Sequence, residues 1–258
     1  MEISKDVKIE SFRNILVESQ QGNKNKIKFM MKIFFCLFGL IAIVSFSQKD
    51  DLFLDGESFL LGTVSDYMGR KVFTNENDKI EQYGFYEKSL VDKICSLLVG
   101  KYDDLLIKKI ETTGDRKICS KKLAEKINAS YTYYKSGIIQ NNEPVFYGQL
   151  QTNILTTELQ KISFIVGAYS RFGSHENERY CIRLYNSMGH FSVCKKILKE
   201  LKCEKIEVKI IENIPVNQLV YFEPSKKLME YLVNYAYLRN QIEEDEKKTF
   251  KELSEKYR

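Results

Sequence analysis

Histidine is scarce in this 258-residue chain: His175 and His190 are the whole supply. There is no His-Glu-x-x-His zinc pair, no Gly-x-Ser-x-Gly nucleophile elbow, no Walker loop and no dinucleotide glycine fingerprint. No two cysteines form a Cys-x-x-Cys pair, which argues against redox-active dithiol chemistry. Tryptophan is absent, and there are only three prolines and thirteen glycines. Those low counts exclude collagen-like and low-complexity architectures. What is present is enough for a core: 43% of residues are hydrophobic, so the chain is not largely disordered. The length fits one or two domains.

The one long apolar run is residues 33–44, IFFCLFGLIAIV. Lys24, Lys26, Lys28 and Lys32 precede it, and Ser45 and Ser47 follow at small-residue positions. A basic region, a short apolar stretch and small residues predict a signal peptide over residues 31–47, cleaved before Gln48. Twelve residues span about 18 Å as a helix, short of a hydrocarbon core of about 30 Å. A membrane anchor is the alternative, and it would have to recruit residues 27–46, including Lys28. Residues 1–30 are polar and read as a gene-model extension, with translation starting at Met30 or Met31.

Residues 1–47 hold seven of the basic and four of the acidic residues, leaving 33 basic against 31 acidic, a net charge of +2. So weak a bias, with no basic stripe, predicts no nucleic-acid partner. Beyond Cys36 lie Cys95, Cys119, Cys181, Cys194 and Cys203. Five is odd, so export would leave at least one thiol unpaired or paired between chains.

The predicted class is α+β. Residues 48–141 form a mostly helical region, 142–223 a small sheet domain, and 224–258 a charged C-terminal helix. Phe59–Gly62 fits a short strand or an early helical turn, and Thr74–Asp78 a loop. Leu90, Val91, Ile94, Leu97 and Leu98 recur at helical spacing over Tyr86–Val99, with Gly100 as the glycine beyond the C-terminus. Leu105–Ile110 reads as a second short helix. Ser120 caps a third, through Leu123, Ala124, Ile127 and Tyr131 to about Gly137.

After Pro144 the pattern changes. Val145–Tyr147 reads as a strand, Thr152–Lys161 as a helix, Phe164–Tyr169 as a buried strand and Ser170–Asn177 as a turn. Tyr180, Ile182 and Leu184 alternate as a strand; Phe191, Cys194, Ile197, Leu198 and Leu201 make a helical stripe; Ile206, Val208 and Ile210 alternate again. That order is βαββαβ, ferredoxin-like, and the two strands of 180–185 and 206–211 should run parallel. Ser225, after Pro224, opens the last helix. Its Glu243/Lys247, Glu244/Lys248 and Glu252/Lys256 pairs are spaced i,i+4. No fixed-period repeat is visible.

The strand–helix–strand spacing of Arg179–Ile211 resembles the corresponding part of a sporulation-related repeat domain, a module that binds septal peptidoglycan. The first half departs from that pattern at Gln149–Thr157. The resemblance implies a glycan-binding exposed sheet face.

Four residues cluster as metal-ligand types: Cys181, His190, Cys194 and Cys203. Ser192 as an N-cap would place His190 before the helix, and Cys194 sits on the apolar stripe, so core thiols or a disulfide compete with a metal. An accessible Cys181 with His175 or His190 as its base would make a cysteine–histidine hydrolase. The Arg171–Arg179 turn offers both charge signs beside His175. Asp50-Asp51 and Asp103-Asp104 read as solvent contacts. Tyr131, Tyr133 and Tyr134, near Lys135, read as packing at a helix end. Asn128-Ala129-Ser130 matches a glycosylation sequon inside a predicted helix.

The leading expectation is an exported, non-enzymatic envelope, periplasmic or secreted protein binding an unknown protein or glycan. No nucleic acid, no cofactor and no metal are expected, and contact with a membrane only if residues 27–46 are retained. An exported cysteine–histidine hydrolase and a peptidoglycan-binding module are the alternatives.

Overall fold

Two helices cross at the centre, α1 (Gly56–Thr63) and α4 (Glu158–Phe172). Both are described in a computed structural model that covers residues 52–72, 78–140, 143–176 and 178–256. The expected signal peptide or anchor, Asp50-Asp51 and most of the 74–78 loop lie outside the described residues.

The helices carry one short pattern twice, Ser58-Phe59-Leu60-Leu61-Gly62 and Ser163-Phe164-Ile165-Val166-Gly167. A Cβ on Gly62 would lie 2.1 Å from the Phe164 carbonyl oxygen, and one on Gly167 would lie 2.1 Å from that of Phe59. Each glycine thus faces the carbonyl of the phenylalanine three residues before the other. A contact so reciprocal relates the two helices by a local two-fold axis, the logic of a self-complementary interface. The Asp55 carboxylate accepts from Ser58 N and caps α1, while the Asp55 amide donates to Ser163 Oγ at 2.9 Å. Thr157 and Gln160 close a capping box on α4.

The duplication extends outward. The first half continues through β1 (Arg70–Val72), β2 (Lys79–Tyr83), a 3₁₀ turn, α2 (Lys88–Leu98), β3 (Leu106–Lys109), β4 (Arg116–Cys119) and α3 (Lys121–Asn128). After α4 the second half repeats the order with β7 (Gly173–Glu176), β8 (Arg179–Tyr185), α5 (Met188–Glu200), β9 (Glu204–Ile211), β10 (Asn217–Glu223) and α6 (Lys226–Lys256). Both sheets are antiparallel, and the order β2-β4-β3 matches the last three strands of β7-β8-β10-β9, whereas β1, the counterpart of β7, lies in another sheet. Between the halves a hairpin of β5 (Tyr131–Gln140) and β6 (Glu143–Leu150) recruits β1 into a third sheet.

The α+β class stands, with a long C-terminal helix, but the ferredoxin-like order does not form. Phe164–Tyr169, expected as a strand, is the middle of α4, and every residue from Ile162 to Ser170 is buried. A helix buried all round has no amphipathic stripe and reads like a core strand. The helix expected over 152–161 begins only at Glu158, and the 170–177 turn holds the end of α4 and β7. The second half of the expected order does form: α5 joins β8 to β9, and both run antiparallel to β10 between them, hence parallel to each other.

Residues 48–141, expected to be mostly helical, are mixed over their described part. Leu105–Ile110, expected as a helix, holds the exposed edge strand β3, paired with β4 from Leu106↔Cys119 to Lys109↔Arg116. Helix α3 stops at Asn128, and Tyr131 opens β5. Two end signals hold: Ser120 Oγ accepts from Leu123 N, and Gly100 follows α2 with φ +78°. Leu228, Leu232, Tyr235, Leu238 and Ile242 dock α6 into the core. Among the described residues no helix is long and apolar enough to cross a membrane.

Candidate functional site

The ends of the two central helices are equivalent places with different side chains. Asp66 follows Gly62 by four residues, and Arg171 follows Gly167 by four. The buried Asp66 accepts through Oδ2 from the His190 amide at 3.2 Å, in the first turn of α5; its Oδ1 has no partner. Burial drives its pKa up to about 7, against the pull of the His190 amide. Arg171 donates from Nε to Glu87 Oε1 at 2.8 Å, from Nη1 to the Thr63 carbonyl at 2.7 Å and from Nη2 to the Gln82 carbonyl at 2.9 Å. Its guanidinium lies 4.3 Å over the Tyr83 ring, and Glu81 is 3.6 Å away. Burial opposes its charge, but Glu81 and Glu87 outweigh that and raise its pKa. Glu87 precedes α2, so each central helix reaches across to the start of the other half's second helix.

A cleft opens beside each end. That at α1 has a volume of about 380 Å³, with Asp66 behind Gly189 and with methionine and tyrosine walls. That at α4, about 450 Å³, is charged, lined by Arg171, Arg183 and Arg239 with Glu87, Glu176 and Glu243.

The outer sheet faces follow from strand alternation. Ile118 points at the helices, so Lys117 points away, level with Lys108 and Gln82. Lys79 lies level with Cys119 on the same face. Burial raises the Cys119 thiol pKa, and Lys108, Lys117 and Lys79 pull against it, a sign of how closely they ring it. On the second sheet Ile182 and Leu184 point inward, and Arg179, Arg183 and Lys209 outward. There Arg179 pairs with Glu207 at 2.8 Å, Arg183 with Glu176 at 3.0 Å, and Tyr221 Oη donates to Glu176 at 3.1 Å.

The residues expected to carry chemistry are not assembled. Cys181 is fully buried on the outer side of β8, not accessible. His190 lies inside α5, whose N-cap is Ser187 rather than Ser192. Its ring stacks on Phe164 at 5.0 Å with Phe172 edge-on at 6.0 Å, and burial lowers its pKa to about 4. It therefore sits among the helices, across the sheet from Cys181. His175 is exposed on the edge strand β7, edge-on to Tyr180 at 5.3 Å. All five cysteines of the described residues are unpaired, and among those residues no group of three or more His, Cys, Asp or Glu could hold a metal.

Asp103 and Asp104 are not idle solvent contacts. Asp104 accepts from Ser120 Oγ at 2.6 Å, and Asp103 pairs with Lys122 at 2.7 Å, both at the start of α3. Tyr131, Tyr133 and Tyr134 lie on the hairpin, not at a helix end: Tyr131 is buried, Tyr133 donates to Asn128 and Tyr134 is exposed. Asn128 also accepts from Arg70 Nε at 2.8 Å. Sequence reasoning missed Asp66 and the glycine pair; the repeated Ser-Phe-x-x-Gly was the signal available.

No protein family and no curated protein matches this sequence. The similarity to solved structures lies in the fold. A mesophilic variant of the homing endonuclease I-DmoI is 15% identical, covering 70% of this chain and 94% of its own, with a TM-score of 0.44. I-DmoI in complex with DNA and calcium is 15% identical, covering 70% of this chain and 88% of its own, at 0.43. Full-length DUF199/WhiA from Thermatoga maritima is 12% identical, covering 79% of this chain and 63% of its own, at 0.35. The expectations of export to the envelope, periplasm or medium and of no nucleic-acid partner stand corrected against these solved structures, one of which is in complex with DNA. The hydrolase and peptidoglycan alternatives, both framed on export, are corrected with them.

Proposed function

We propose that this chain binds duplex DNA along the outward faces of its two matched sheets. The observation that carries the reading is the duplication itself. Two sheets that share a three-strand order flank a helix pair with a local two-fold axis, and a DNA duplex has two-fold symmetry of its own backbone. Sheets are established readers of DNA grooves, and two-fold proteins match two-fold sites. Lys79, Lys108 and Lys117 provide the phosphate contacts on the first sheet, and Arg179, Arg183 and Lys209 those on the second. The net charge is low over the chain, yet the strands of the first sheet carry Lys79, Lys108, Lys109, Arg116 and Lys117 against a single acid, Glu81. The two equivalent positions hold one carboxyl group, Asp66, and one guanidinium, Arg171, so they do not form a paired-carboxylate metal site there. The reading is accordingly binding rather than cleavage.

Fluorescence anisotropy of a labelled 30-base-pair duplex, titrated with potassium chloride, tests it. Binding should weaken steeply with salt. Changing Lys79, Lys108 and Lys117 to glutamine should weaken it further and lower the salt slope by about 1 for each lysine that meets a phosphate. No binding at low salt, or a triple variant that binds like the parent, overturns the reading.

A further inference from the structure

The α1 cleft has the wrong chemistry for phosphate and the right chemistry for a base. Met68 and Met188 wall it, 57% and 53% exposed, with Tyr134 at 57%. Tyr134 and Tyr147 are direct cross-strand partners on β5 and β6, and both line it. Its floor is glycine. At Gly148 a Cβ would lie 2.7 Å from the Tyr133 ring, and at Gly189 it would lie 3.1 Å from the Leu150 amide nitrogen and 3.2 Å from Asp66 Oδ2. Protein atoms fill the places those Cβ atoms would take, so both glycines are fixed by the close packing of α5 and the hairpin beside the cleft.

Polar groups stand at the edges. Asn186 accepts at Oδ1 from the Val216 amide, while its main-chain oxygen accepts from Met68 N. That leaves the Asn186 amide nitrogen with two hydrogens to donate. Gln149 is exposed at the rim with both a donor and an acceptor. Behind Gly189 lies the Asp66 carboxyl with its unpartnered Oδ1. The volume, about 380 Å³, is that of a small-molecule site.

We propose that this cleft takes a nucleobase, unstacked from nucleic acid held on the sheets. The inference rests on the DNA-binding reading above and adds where a base goes. Thioethers and tyrosine rings suit the faces of a planar heteroaromatic ring. Amides suit its hydrogen-bonding edge, as in enzymes and single-strand binders that hold an extruded base. An aromatic side chain from a peptide would fill the walls but leave the Asn186 and Gln149 amides unanswered.

The test uses the full chain and oligonucleotides containing 2-aminopurine, a base that brightens when unstacked. Anisotropy reports binding and fluorescence intensity reports the base. Single strands and duplexes with a mismatch opposite 2-aminopurine should brighten several-fold on binding. Tyr134→Ala with Met188→Ala should remove the brightening and weaken single-strand binding about five-fold or more, as loss of one stacked base does. Both side chains are more than half exposed, so the variant should fold, and circular dichroism checks that. If the parent binds but 2-aminopurine stays quenched, or if the variant behaves like the parent, the base site is wrong while the sheet reading stands. If no oligonucleotide binds at all, both fall.

Discussion

Gly62 faces the main-chain carbonyl of Phe164 so closely that a Cβ there would sit 2.1 Å from the oxygen. No side-chain rotation relieves such a contact, because the obstacle is backbone. Gly62→Ala must therefore push α1 and α4 apart, and both are packed on all sides. The expected loss is at the upper end of single substitutions, about 4 kcal/mol or failure to fold. Gly167→Ala should match it, because a Cβ there would meet the Phe59 carbonyl in the same way. Gly100→Ala is the control: nothing lies within 4 Å, and only its positive φ opposes a side chain, at roughly 1–2 kcal/mol. Urea denaturation of the three variants checks this, and a Gly62→Ala protein as stable as Gly100→Ala would overturn the two-fold contact.

The same glycines show why the centre was the hardest part to read. Helix ends were legible, since Ser120 and Gly100 act locally through a cap and a positive φ. Stripes were legible where one face meets water, as in α2, α5 and α6. The central helices meet protein on every side, so α4 shows a continuous apolar run and α1 is only eight residues long. The duplication was hidden because five matching positions, 105 residues apart, make no period. Asp66 and His190 lie far apart in sequence and meet only because α1 and α5 dock. The outward lysines were invisible because net charge does not say which face a residue occupies.

Arg171 is the most heavily bonded side chain between the halves. Arg171→Met would keep much of the volume but leave Glu81 and Glu87, with side chains only 11% and 8% exposed, without their cation. Stranding buried charge typically destabilises by about 3–5 kcal/mol. Arg171→Lys keeps a charge but not the fork that reaches Glu87 and two carbonyls, so it should fall between parent and Met. Chemical denaturation at pH 7 orders the three, and a loss below about 1 kcal/mol in Arg171→Met would show that the hub is not holding the halves together.

The thiols divide by burial. Cys181 and Cys194 are fully buried, and burial raises both of their pKa values. Cys95 and Cys203 are half-buried, with Cys95 pushed up to about 11, again by burial first. Thiolate is the reactive form, so none should alkylate rapidly at pH 7.5. Cys95 and Cys203 should label before the other two, because small openings expose them. Time-resolved alkylation followed by mass spectrometry gives the order. Early labelling at Cys194 would mean that α5 does not pack as described.

Asp66 makes a prediction whose sign is unusual for an aspartate. Its folded pKa is raised from 3.8 to about 7, so between those values the folded protein holds a proton that the unfolded chain has released. Stability must then fall as pH rises from about 4 to 7 and level off above. His190 works oppositely: its pKa is lowered to about 4, so its neutral buried ring destabilises as pH falls through 6.5. Asp66→Asn separates the two, since His190 is common to both proteins and its contribution cancels in their difference. Asparagine can still accept from the His190 amide and carries no charge. Near pH 4 parent and variant should be about equally stable, because the parent's carboxyl is protonated. By pH 8 the variant should be the more stable by a few kcal/mol, since each pKa unit corresponds to about 1.4 kcal/mol. Glu81 should add to the parent's penalty and Arg70 reduce it, since one opposes and the other favours the Asp66 charge. Denaturation midpoints for both proteins across pH 4–8 measure the difference directly. A difference that stays flat, or grows toward low pH, would mean that Asp66 is charged and satisfied where it lies.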